Sequence, residues 1–287
     1  MQVAIVTGSS TGIGLATAVA LASAGHRVYA TMRNPQRAPR LAEIAAADKL
    51  PITILPMDVD DDASVRQAIG KILADAGRVD VLVNNAGVQG SGPVEEVPLA
   101  EFRRNMETNY FGVLRCIQAV LPTMRKQGDG HIVNVSTIGG RITGFSQGPY
   151  CGSKFALEAV SEILAGEVKC FGIRVAIIEP GVTETPIFDK RRSVPANSPY
   201  RQERRMNAIF NAGLKFQVPP SLVADKIVEI VRTKTWKLRH PTGPDAEPFL
   251  KYRAALSDED WINLHAIESD QEFAAIIKRD FGLDLEL

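Results

Sequence analysis

The chain begins with a strand, a glycine-rich turn and a helix in direct succession, and no other feature constrains the fold as much. Residues 3–7, VAIVT, form a short β-branched run typical of a strand buried on both faces. GSSTGIG follows, and then the apolar helical stretch IGLATAVALASAG. The spacing of Gly8, Gly12 and Gly14 lets the backbone approach a pyrophosphate, whose charge is met by free amides at the helix N-terminus. Between a strand and a helix, this pattern predicts a dinucleotide site.

The same unit of strand and helix recurs along the chain. Further strands are predicted at 26–33, 51–57, 79–85, 132–136 and 173–179, and helices near 37–48, 62–76, 99–126 and 150–171. Strands that alternate with helices of about ten to fifteen residues imply right-handed crossovers and a parallel sheet covered on both faces. No linker, low-complexity segment or internal repeat interrupts the series, which predicts one α/β domain.

A hydroxyl, a phenol and an ammonium lie close together in sequence, at Ser136, Tyr150 and Lys154. On a helix that starts near Pro149, Tyr150 and Lys154 project from one face, and an ammonium beside a phenol lowers its pKa from about 10. Ser136 ends an apolar strand, at the edge where open α/β sheets bind ligands. A carbonyl oxygen between Ser136 and Tyr150 can therefore be both hydrogen-bonded and protonated. Alone, the tyrosine and lysine also fit a solvated helix face.

Composition excludes several classes of protein. The formal net charge is zero and the pI about 6.9, so nothing in the charge balance requires a nucleic acid or an anionic membrane. The three cysteines form no CxxC pair, which argues against a disulfide framework and a metal site and favours a reducing compartment. Met1 and Gln2 lead directly into the first strand, and no apolar run approaches the roughly 20 residues of a membrane span. These features predict a cytoplasmic protein.

A series of motifs resembles a known family. The motifs are T-G-x-x-x-G-I-G at 7–14, Asp58 after the third strand, N-N-A-G at 84–87, Asn109, Ser136, Tyr150 with Lys154, and Pro180-Gly181. In this order and spacing the chain resembles the short-chain dehydrogenase/reductase family, closely over residues 1–185 and loosely beyond them. The resemblance implies a single Rossmann-type, doubly wound parallel sheet of about seven strands, with helices on both faces, that binds a nicotinamide dinucleotide.

The resemblance also implies catalytic roles for four residues. Tyr150 matches the general acid/base, and Lys154 matches the residue that lowers its pKa and holds the nicotinamide ribose. Ser136 matches the group that orients the substrate oxygen. Asn109 matches the anchor of a water that connects the lysine to solvent. Because all four are present, the resemblance implies an active enzyme rather than a protein that only binds the cofactor.

Further residues match cofactor contacts of the family. They are Gly8, Ser10, Gly12, Ile13, Gly14, Arg33, Asp58, Val59, Asn85, Ala86, Gly87, Tyr150, Lys154, Pro180, Gly181, Thr183 and Thr185. Thr183 and Thr185 resemble contacts to the nicotinamide carboxamide and phosphates, and Asp58 resembles the residue that binds the adenine. Two alternatives remain open: the N-N-A-G segment also fits a purely structural turn, and Asp58 also fits a helix cap.

The second strand indicates which nicotinamide cofactor is preferred. A carboxylate that binds the ribose 2′-hydroxyl of NAD is expected about 20 residues past the glycines, whereas an arginine there suits the 2′-phosphate of NADP. The strand ends in Ala30, Thr31, Met32 and Arg33, without a carboxylate. Arg33 offers several donors to a phosphate, which predicts a preference for NADP(H). The alternative is that Arg33 only occupies an exposed loop.

The C-terminal third is less informative. We divide the chain into a dinucleotide-binding and catalytic core at 1–182, a substrate lid at 183–218, and a segment at 219–287 that completes the sheet and adds short helices. The lid contains apolar residues that fit a greasy wall or a packed helix, and basic residues that fit an anionic substrate or a solvated loop. They are Ile187, Phe188, Met206, Ile209 and Phe210, and Lys190, Arg191, Arg192 and Arg201 to Arg205. A helix at 220–233 and a strand at 237–240 are predicted, and SDEDW and SDQEF are typical helix starts.

The sequence therefore predicts an NADP(H)-dependent oxidoreductase that moves a hydride between nicotinamide and a secondary alcohol or ketone, with a hydrophobic small-molecule substrate. VYATMRNP and the long C-terminus are loosely similar to 17β-hydroxysteroid and retinol-type dehydrogenases. The alternatives are a 3-ketoacyl-type reductase and a non-catalytic protein that senses NADP. The helices at 99–126 and 150–171 match those through which family members pair, which predicts a homodimer or homotetramer. Their apolar residues Phe111, Leu114, Phe155 and Leu164 also fit burial against the sheet.

Overall fold

The architecture rests on a parallel sheet, seen in a computed structural model that describes residues 1–187 and 197–287. The described residues form seven strands in the order β3-β2-β1-β4-β5-β6-β7, and every neighbouring pair is parallel. The strands are β1 Val3–Thr7, β2 Arg27–Met32, β3 Ile52–Pro56, β4 Val81–Asn84, β5 Gly130–Val135, β6 Ile173–Pro180 and β7 Arg239–Thr242. The order reverses between β1 and β4, which creates a switch point at the carboxyl edge. The predicted Rossmann-type fold is confirmed.

Helices cover both faces because the central strands are apolar on both faces. In β1, Val3 and Ile5 belong to one hydrophobic core, whereas Ala4 and Val6 belong to the other. Helices α3, α5 and α6 pack on the first core, and α1, α2 and α8 pack on the second. These helices are α1 Gly12–Ser23, α2 Pro39–Ala47, α3 Asp62–Ala76, α5 Gly112–Gln127, α6 Gly148–Val168 and α8 Pro220–Arg232. With both faces filled, ligand chemistry is confined to the edges of the sheet.

The helix predicted at 99–126 is interrupted. Helix α4 spans Leu99–Met106, a π-helical turn spans Glu107–Phe111, and α5 continues from Gly112. A π-turn inserts an extra residue into the helix, and such turns occur frequently at functional sites. Asn109 lies in this turn and is fully buried. Gly112, the residue after the π-turn, packs closely on Val59, because a Cβ at Gly112 would lie 2.9 Å from Val59 Cγ2.

The C-terminal segment forms a small additional core. It contains α9 Ala246–Ala254, α10 Asp258–Ala266 and α11 Asp270–Phe281, and it packs against α7 Arg201–Gly213 of the lid. Ser257 and Ser269 cap α10 and α11, as their sequence contexts predict. Met206 and Ile209 of α7 pack against the buried Phe145 and Phe273. The apolar lid residues of α7 therefore belong, at least in part, to a packed helix.

A buried arginine joins α7 to the C-terminal helices. The Arg205 side chain is fully buried, and its guanidinium donates to Asp270 Oδ1 at 2.8 Å and to the Ile267 carbonyl at 2.6 Å. Its charged group also lies over the ring of Phe273, 4.7 Å from the centroid. Arg201 donates to the Glu268 carbonyl. The described part of the lid is thus fastened to the C-terminal helices, whereas Phe188 and the basic residues at 190–192 lie outside the described residues.

Some of the apolar residues that the sequence suggested for subunit pairing are exposed on the helix surface. Phe111 and Phe155 are exposed, as is Ile163 on α6. Leu164 is buried in the core instead, and Leu114 is half-buried. Among the described residues, no helix combines the length and the apolarity needed to cross a membrane.

Candidate active site

The glycine turn and the N-N-A-G turn lie against each other at the carboxyl edge of the sheet. Thr7 Oγ1 accepts the backbone N–H groups of Asn85 and Ala86, both at 3.0 Å. A Cβ at Gly8 would lie 2.7 Å from Ala86 Cα, and a Cβ at Gly14 would lie 2.3 Å from Asn85 Nδ2. Any other residue at these two positions would separate the turns. The N-N-A-G segment is therefore a structural turn that packs directly on the glycine turn, and its role in binding the cofactor stays a prediction.

The start of α1 suits an anionic ligand. Its N-cap residue, Thr11, makes no side-chain capping hydrogen bond, and the first turn contains no acidic residue. The amides at the start of this helix therefore lack the partners that a capping side chain would supply, and the helix dipole adds positive potential there. Gly12 has φ +55°, a conformation that side chains rarely adopt, while Ser10 and Ile13 are partly exposed. This glycine cradle fits a pyrophosphate.

The segment after β6 faces the same cradle. The Gly181 N–H donates to the Thr242 carbonyl at 3.0 Å, which continues the pairing of Pro180 with β7. Thr183 is buried. A Cβ at Gly12 would lie 3.1 Å from Thr185 Cγ2. The segment at 180–185 therefore borders the predicted pyrophosphate site.

The π-turn places Asn109 between two parts of the site. Asn109 Nδ2 donates to the Val88 carbonyl and to Ser153 Oγ, both at 2.9 Å, and its Oδ1 accepts the Val88 N–H at 2.8 Å. A Cβ at Gly87 would lie 3.3 Å from Asn109 Oδ1 and 4.0 Å from Lys154 Nζ. The asparagine, the lysine and the end of the N-N-A-G turn therefore meet at one point.

Lys154 is buried and directed at the sheet. Its Nζ donates to the Val135 carbonyl at 2.8 Å and lies 5.9 Å from the centroid of the Tyr150 ring. Burial lowers the pKa of Lys154 to about 8, and the charge of Glu158 opposes that shift. Lys154 and Tyr150 lie on one helix face, as their spacing predicts.

The expected effect on the phenol is absent. Burial raises the pKa of Tyr150 above its usual value, and the charge of neighbouring Cys151 acts in the same direction. The ammonium of Lys154 donates to the Val135 carbonyl and is not among the groups that shift this pKa; only the Thr137 hydroxyl opposes the rise. In the protein without a bound cofactor, the phenol therefore keeps its proton, contrary to the lowered pKa that the sequence suggested.

Two adjacent hydroxyls at the end of β5 point in different directions. Ser136 is buried, its Oγ has no hydrogen-bond partner among the described residues, and it lies 2.7 Å from where a Cβ at Gly140 would be. Thr137 is partly exposed, and its hydroxyl lies close enough to the Tyr150 phenol to oppose the rise in the pKa of that phenol. The sequence pointed to Ser136, but the geometry brings Thr137 to the tyrosine. Side chains along an extended segment alternate in direction, so a shift of one residue exchanges the two faces.

The residues predicted to contact the adenine half of the cofactor are Asp58, Val59 and Arg33. Asp58 does not cap α3, because Asp61 Oδ1 accepts the Ser64 N–H at 2.8 Å in that role. Asp58 Oδ1 instead accepts the Asp60 N–H at 3.1 Å, and Val59 is buried. Arg33 is exposed and makes no hydrogen bond or salt bridge with a described residue, although its charge opposes the rise in the pKa of Asp60. Its guanidinium is therefore available to a ligand at the end of β2.

Comparisons with known proteins agree with this geometry. A family model described as short chain dehydrogenase matches residues 2–195. The uncharacterized oxidoreductase YusZ of Bacillus subtilis is 40% identical, over 91% of this chain and 95% of the relative. The 3-ketodihydrosphingosine reductase of Bacteroides thetaiotaomicron is 42% identical over 66% of this chain and 67% of the relative. Retinol dehydrogenase 8 of Bos taurus is 34% identical over 87% and 84%.

Solved structures show the same arrangement of elements. A short-chain dehydrogenase from Streptomyces avermitilis has a TM-score of 0.79 and 35% identity, covering 91% of this chain and 97% of that one. A metagenomic short-chain oxidoreductase in complex with NADP has a TM-score of 0.67 and 26% identity, covering 83% and 95%.

The lowered pKa of Lys154 predicts how stability depends on pH. Below pH 8 both the folded and the unfolded chain hold the proton, and the folded state bears the full cost of a buried ammonium. Between pH 8 and 10.5 the folded chain releases the proton first, so the cost falls and stability rises with pH. We expect Lys154→Met to raise the free energy of unfolding at pH 7 by about 1–3 kcal/mol, less the lost hydrogen bond to Val135.

This advantage over wild type should shrink as the pH approaches 10. Denaturant unfolding of the cofactor-free proteins at pH 7 and pH 10 measures it. Lys251→Met, which removes an exposed lysine of α9, is the matched control and should leave stability nearly unchanged. An advantage that is absent at pH 7, or equal at both pH values, would contradict the prediction.

Proposed function

The chain belongs to the short chain dehydrogenase family and is an oxidoreductase, and from this premise we propose that it transfers a hydride between NADP(H) and a secondary alcohol or ketone. The observation that carries the proposal is the convergence of Tyr150, Lys154 and Asn109 beside the glycine cradle. Groups for proton transfer and for binding a dinucleotide lie at one edge of the sheet, at its switch point.

The bound nicotinamide would supply or accept the hydride, and the side chains would manage the proton. Tyr150 holds its proton in the cofactor-free protein, which suits donation to a carbonyl oxygen during reduction. Lys154 brings a cation to the site and can bind a ribose hydroxyl. Asn109 fixes the backbone at Val88 and reaches Ser153, next to the lysine.

We assign the substrate-orienting hydroxyl to Thr137 rather than Ser136. Thr137 Oγ1 donates to the Pro180 carbonyl at 3.3 Å, and it opposes the rise in the pKa of the Tyr150 phenol. Rotation of this hydroxyl would turn its single proton from Pro180 toward a substrate oxygen. A carbonyl oxygen that accepts from both groups would be polarised and then protonated. Ser136 Oγ instead faces Gly140, which itself packs on Glu158 and the Lys154 carbonyl of α6. We therefore assign Ser136 a packing role.

The preference for NADP(H) is supported by charge at the end of β2. Arg33 is exposed and unpaired among the described residues, and no carboxylate follows the strand to repel a 2′-phosphate. Arg37 and Arg40, which are also exposed, extend the basic surface beyond it. The related metagenomic oxidoreductase binds NADP in its solved structure, which agrees with this choice.

A hydrophobic substrate is supported by the residues near the lid. Phe145 is buried, and a Cβ at the neighbouring Gly144 would lie 3.6 Å from Met206 Sδ of α7, so apolar packing links the loop before Tyr150 to the lid. The names of the relatives, a retinol dehydrogenase and a 3-ketodihydrosphingosine reductase, agree with long apolar substrates.

The alternative of an anionic 3-ketoacyl substrate receives less support, because Arg201, Arg204 and Arg205 of α7 already bind C-terminal groups. The alternative of a non-catalytic NADP sensor is disfavoured by the intact Tyr150 and Lys154. The division into core, lid and C-terminal segment, and pairing through the exposed side of α4 to α6, stay proposals.

A panel of apolar ketones and alcohols with NADPH or NADP, followed at the nicotinamide absorbance, tests the proposed activity. Turnover should require Tyr150, since Tyr150→Phe deletes the transferable proton and little packing. We expect the rate to fall by about 10² to 10⁴ while NADPH affinity is retained. Cofactor binding without turnover on any substrate would favour the sensor, and a variant with more than a tenth of wild-type activity would disprove the role of Tyr150.

Substitution can distinguish the roles of the two hydroxyls that follow β5. Thr137→Val removes the group that faces Tyr150 and should lower kcat by about 10² with little change in NADPH affinity. Ser136→Ala removes an unpaired buried hydroxyl, so activity should stay within a few-fold of wild type and stability should not fall. Steady-state kinetics on both variants decide the assignment, and a larger loss for Ser136→Ala would return the role to the serine.

Cofactor choice depends on charge at one residue. Arg33→Asp removes a charge-assisted contact and introduces a repulsion, so discrimination should shift toward NAD by more than about tenfold. The KM for NADP should rise steeply, while kcat with saturating NAD should hold, because Arg33 is remote from Tyr150. Values of kcat/KM for both cofactors measure the shift. A wild type that prefers NAD, or an unchanged preference in the variant, would show that Arg33 is only a loop residue.

A further inference from the structure

Asp245 is an N-cap residue that does not cap its own helix. It precedes α9, yet its side chain makes no hydrogen bond to the first turn of that helix. An aspartate in this position ordinarily accepts an amide of its own helix, which stabilises the helix start. Here Oδ2 instead accepts the N–H of Val182 at 2.7 Å, 63 residues earlier in the chain. The carboxylate is therefore directed across the sheet edge, toward the segment that follows β6.

The surrounding backbone is shaped around this carboxylate. A Cβ at Gly181 would lie 2.0 Å from Asp245 Oδ1, so the carboxylate packs directly on the glycine backbone. On its other side, Gly243 has φ +106°, and a Cβ there would lie 3.0 Å from the same oxygen. Two glycines thus leave the space that one carboxylate fills, and a side chain on either would displace it.

The segment that Asp245 holds belongs to the cofactor cleft. The Val182 carbonyl accepts the Val218 N–H at 3.2 Å, and the Glu184 N–H donates to the Val218 carbonyl at 2.9 Å. This short bridge leads to Thr185, whose Cγ2 approaches Gly12 of the glycine cradle. Asp245 is therefore connected through two residues to the segment that borders the predicted pyrophosphate and nicotinamide positions.

Stability alone does not account for this arrangement. Asp245 Oδ1 is shielded from solvent and has no hydrogen-bond partner among the described residues. Burial raises the pKa of Asp245, and the hydrogen bond from Val182 opposes that shift. A half-buried carboxylate with one shielded, unpaired oxygen is costly to folding, whereas a carboxylate that capped α9 would stabilise the chain. In return for this cost, the carboxylate fixes the position of the segment at 181–185.

We propose that Asp245 is a positioning residue for the nicotinamide half of the cofactor. It acts through Val182 and Gly181 and fixes the segment that carries Thr183 and Thr185. This inference rests on the proposed function, since it requires a dinucleotide in the cleft. It also assigns a role to the C-terminal segment beyond completing the fold, because that segment closes the cofactor site at the end opposite Arg33.

Two ligands separate the halves of the site. NADPH occupies both halves, whereas adenosine 2′,5′-bisphosphate occupies only the adenine half near Arg33. For Asp245→Ala we expect the Kd of NADPH, measured by nicotinamide fluorescence, to rise about tenfold or more. The Kd of adenosine 2′,5′-bisphosphate, measured by calorimetry, should stay within twofold of wild type. Asp245→Asn keeps an acceptor for the Val182 N–H and should restore most of the NADPH affinity.

Matched variants keep the test decisive. Ser257→Ala removes a true cap in the same C-terminal segment and should lower the melting temperature without changing either Kd. Gly181→Ala, which forces the carboxylate away, should reproduce the split between the ligands and replaces Asp245→Ala if that variant does not fold. Equal weakening of both ligands, or no weakening of NADPH, would overturn the proposal for Asp245. A wild type that binds neither ligand would instead overturn the proposed cofactor site.

Discussion

The burial of every central strand on both faces is the constraint on which the rest of the structure depends. Adjacent residues of β1 enter two separate cores, so both faces of the sheet are closed to a ligand by packed side chains. Reactive groups can lie only where strands end, and parallel strands end together at one edge. Close approach of the loops at that edge then requires glycine, as Gly8 and Gly14 show by their distances to the Asn85 turn. Packing alone therefore brings the loops at this edge together, independently of the catalytic residues.

The fold was largely predictable because its signals are local. Apolar runs and glycine turns gave all the strands to within a few residues, and α3 at 62–76 to the residue. The last strand, predicted at 237–240, lies at Arg239–Thr242. It is short, and its sequence RHPT has no apolar alternation to fix the register. The π-turn at Glu107–Phe111 was not predictable, because one extra residue within a helix leaves the composition and most of the periodicity unchanged.

The sequence predicted which residues belong to the site better than it predicted where their side chains point. Spacing alone placed Tyr150 and Lys154 on one helix face. It could not show that the lysine binds the Val135 carbonyl, or that burial would raise the pKa of the phenol. Nor could it choose between Ser136 and Thr137, because both are small hydroxyl residues at a strand end and only the backbone decides which one faces the cleft. Asp245 carried a weaker signal still, an aspartate before a helix, which ordinarily indicates a cap.

The distribution of unpaired charge in the molecule shows which edge is adapted for a ligand. At the amino edge of the sheet, buried Asp80 accepts the Val3 N–H and both arms of Arg78, so its charge is fully compensated. Burial there lowers the pKa of His131 to about 4, and a neutral imidazole with one unpaired nitrogen costs only about 1–3 kcal/mol. At the carboxyl edge, Lys154 retains a buried cation with one carbonyl partner, and Asp245 retains an unpaired oxygen. Among these groups, charged side chains lack some hydrogen-bond partners at the carboxyl edge of the sheet and not at the amino edge. In the proposed function, the ribose hydroxyls of a dinucleotide supply further partners for the Lys154 ammonium, whereas Asp245 acts through the backbone at 181–182, so binding would recover free energy that folding alone does not.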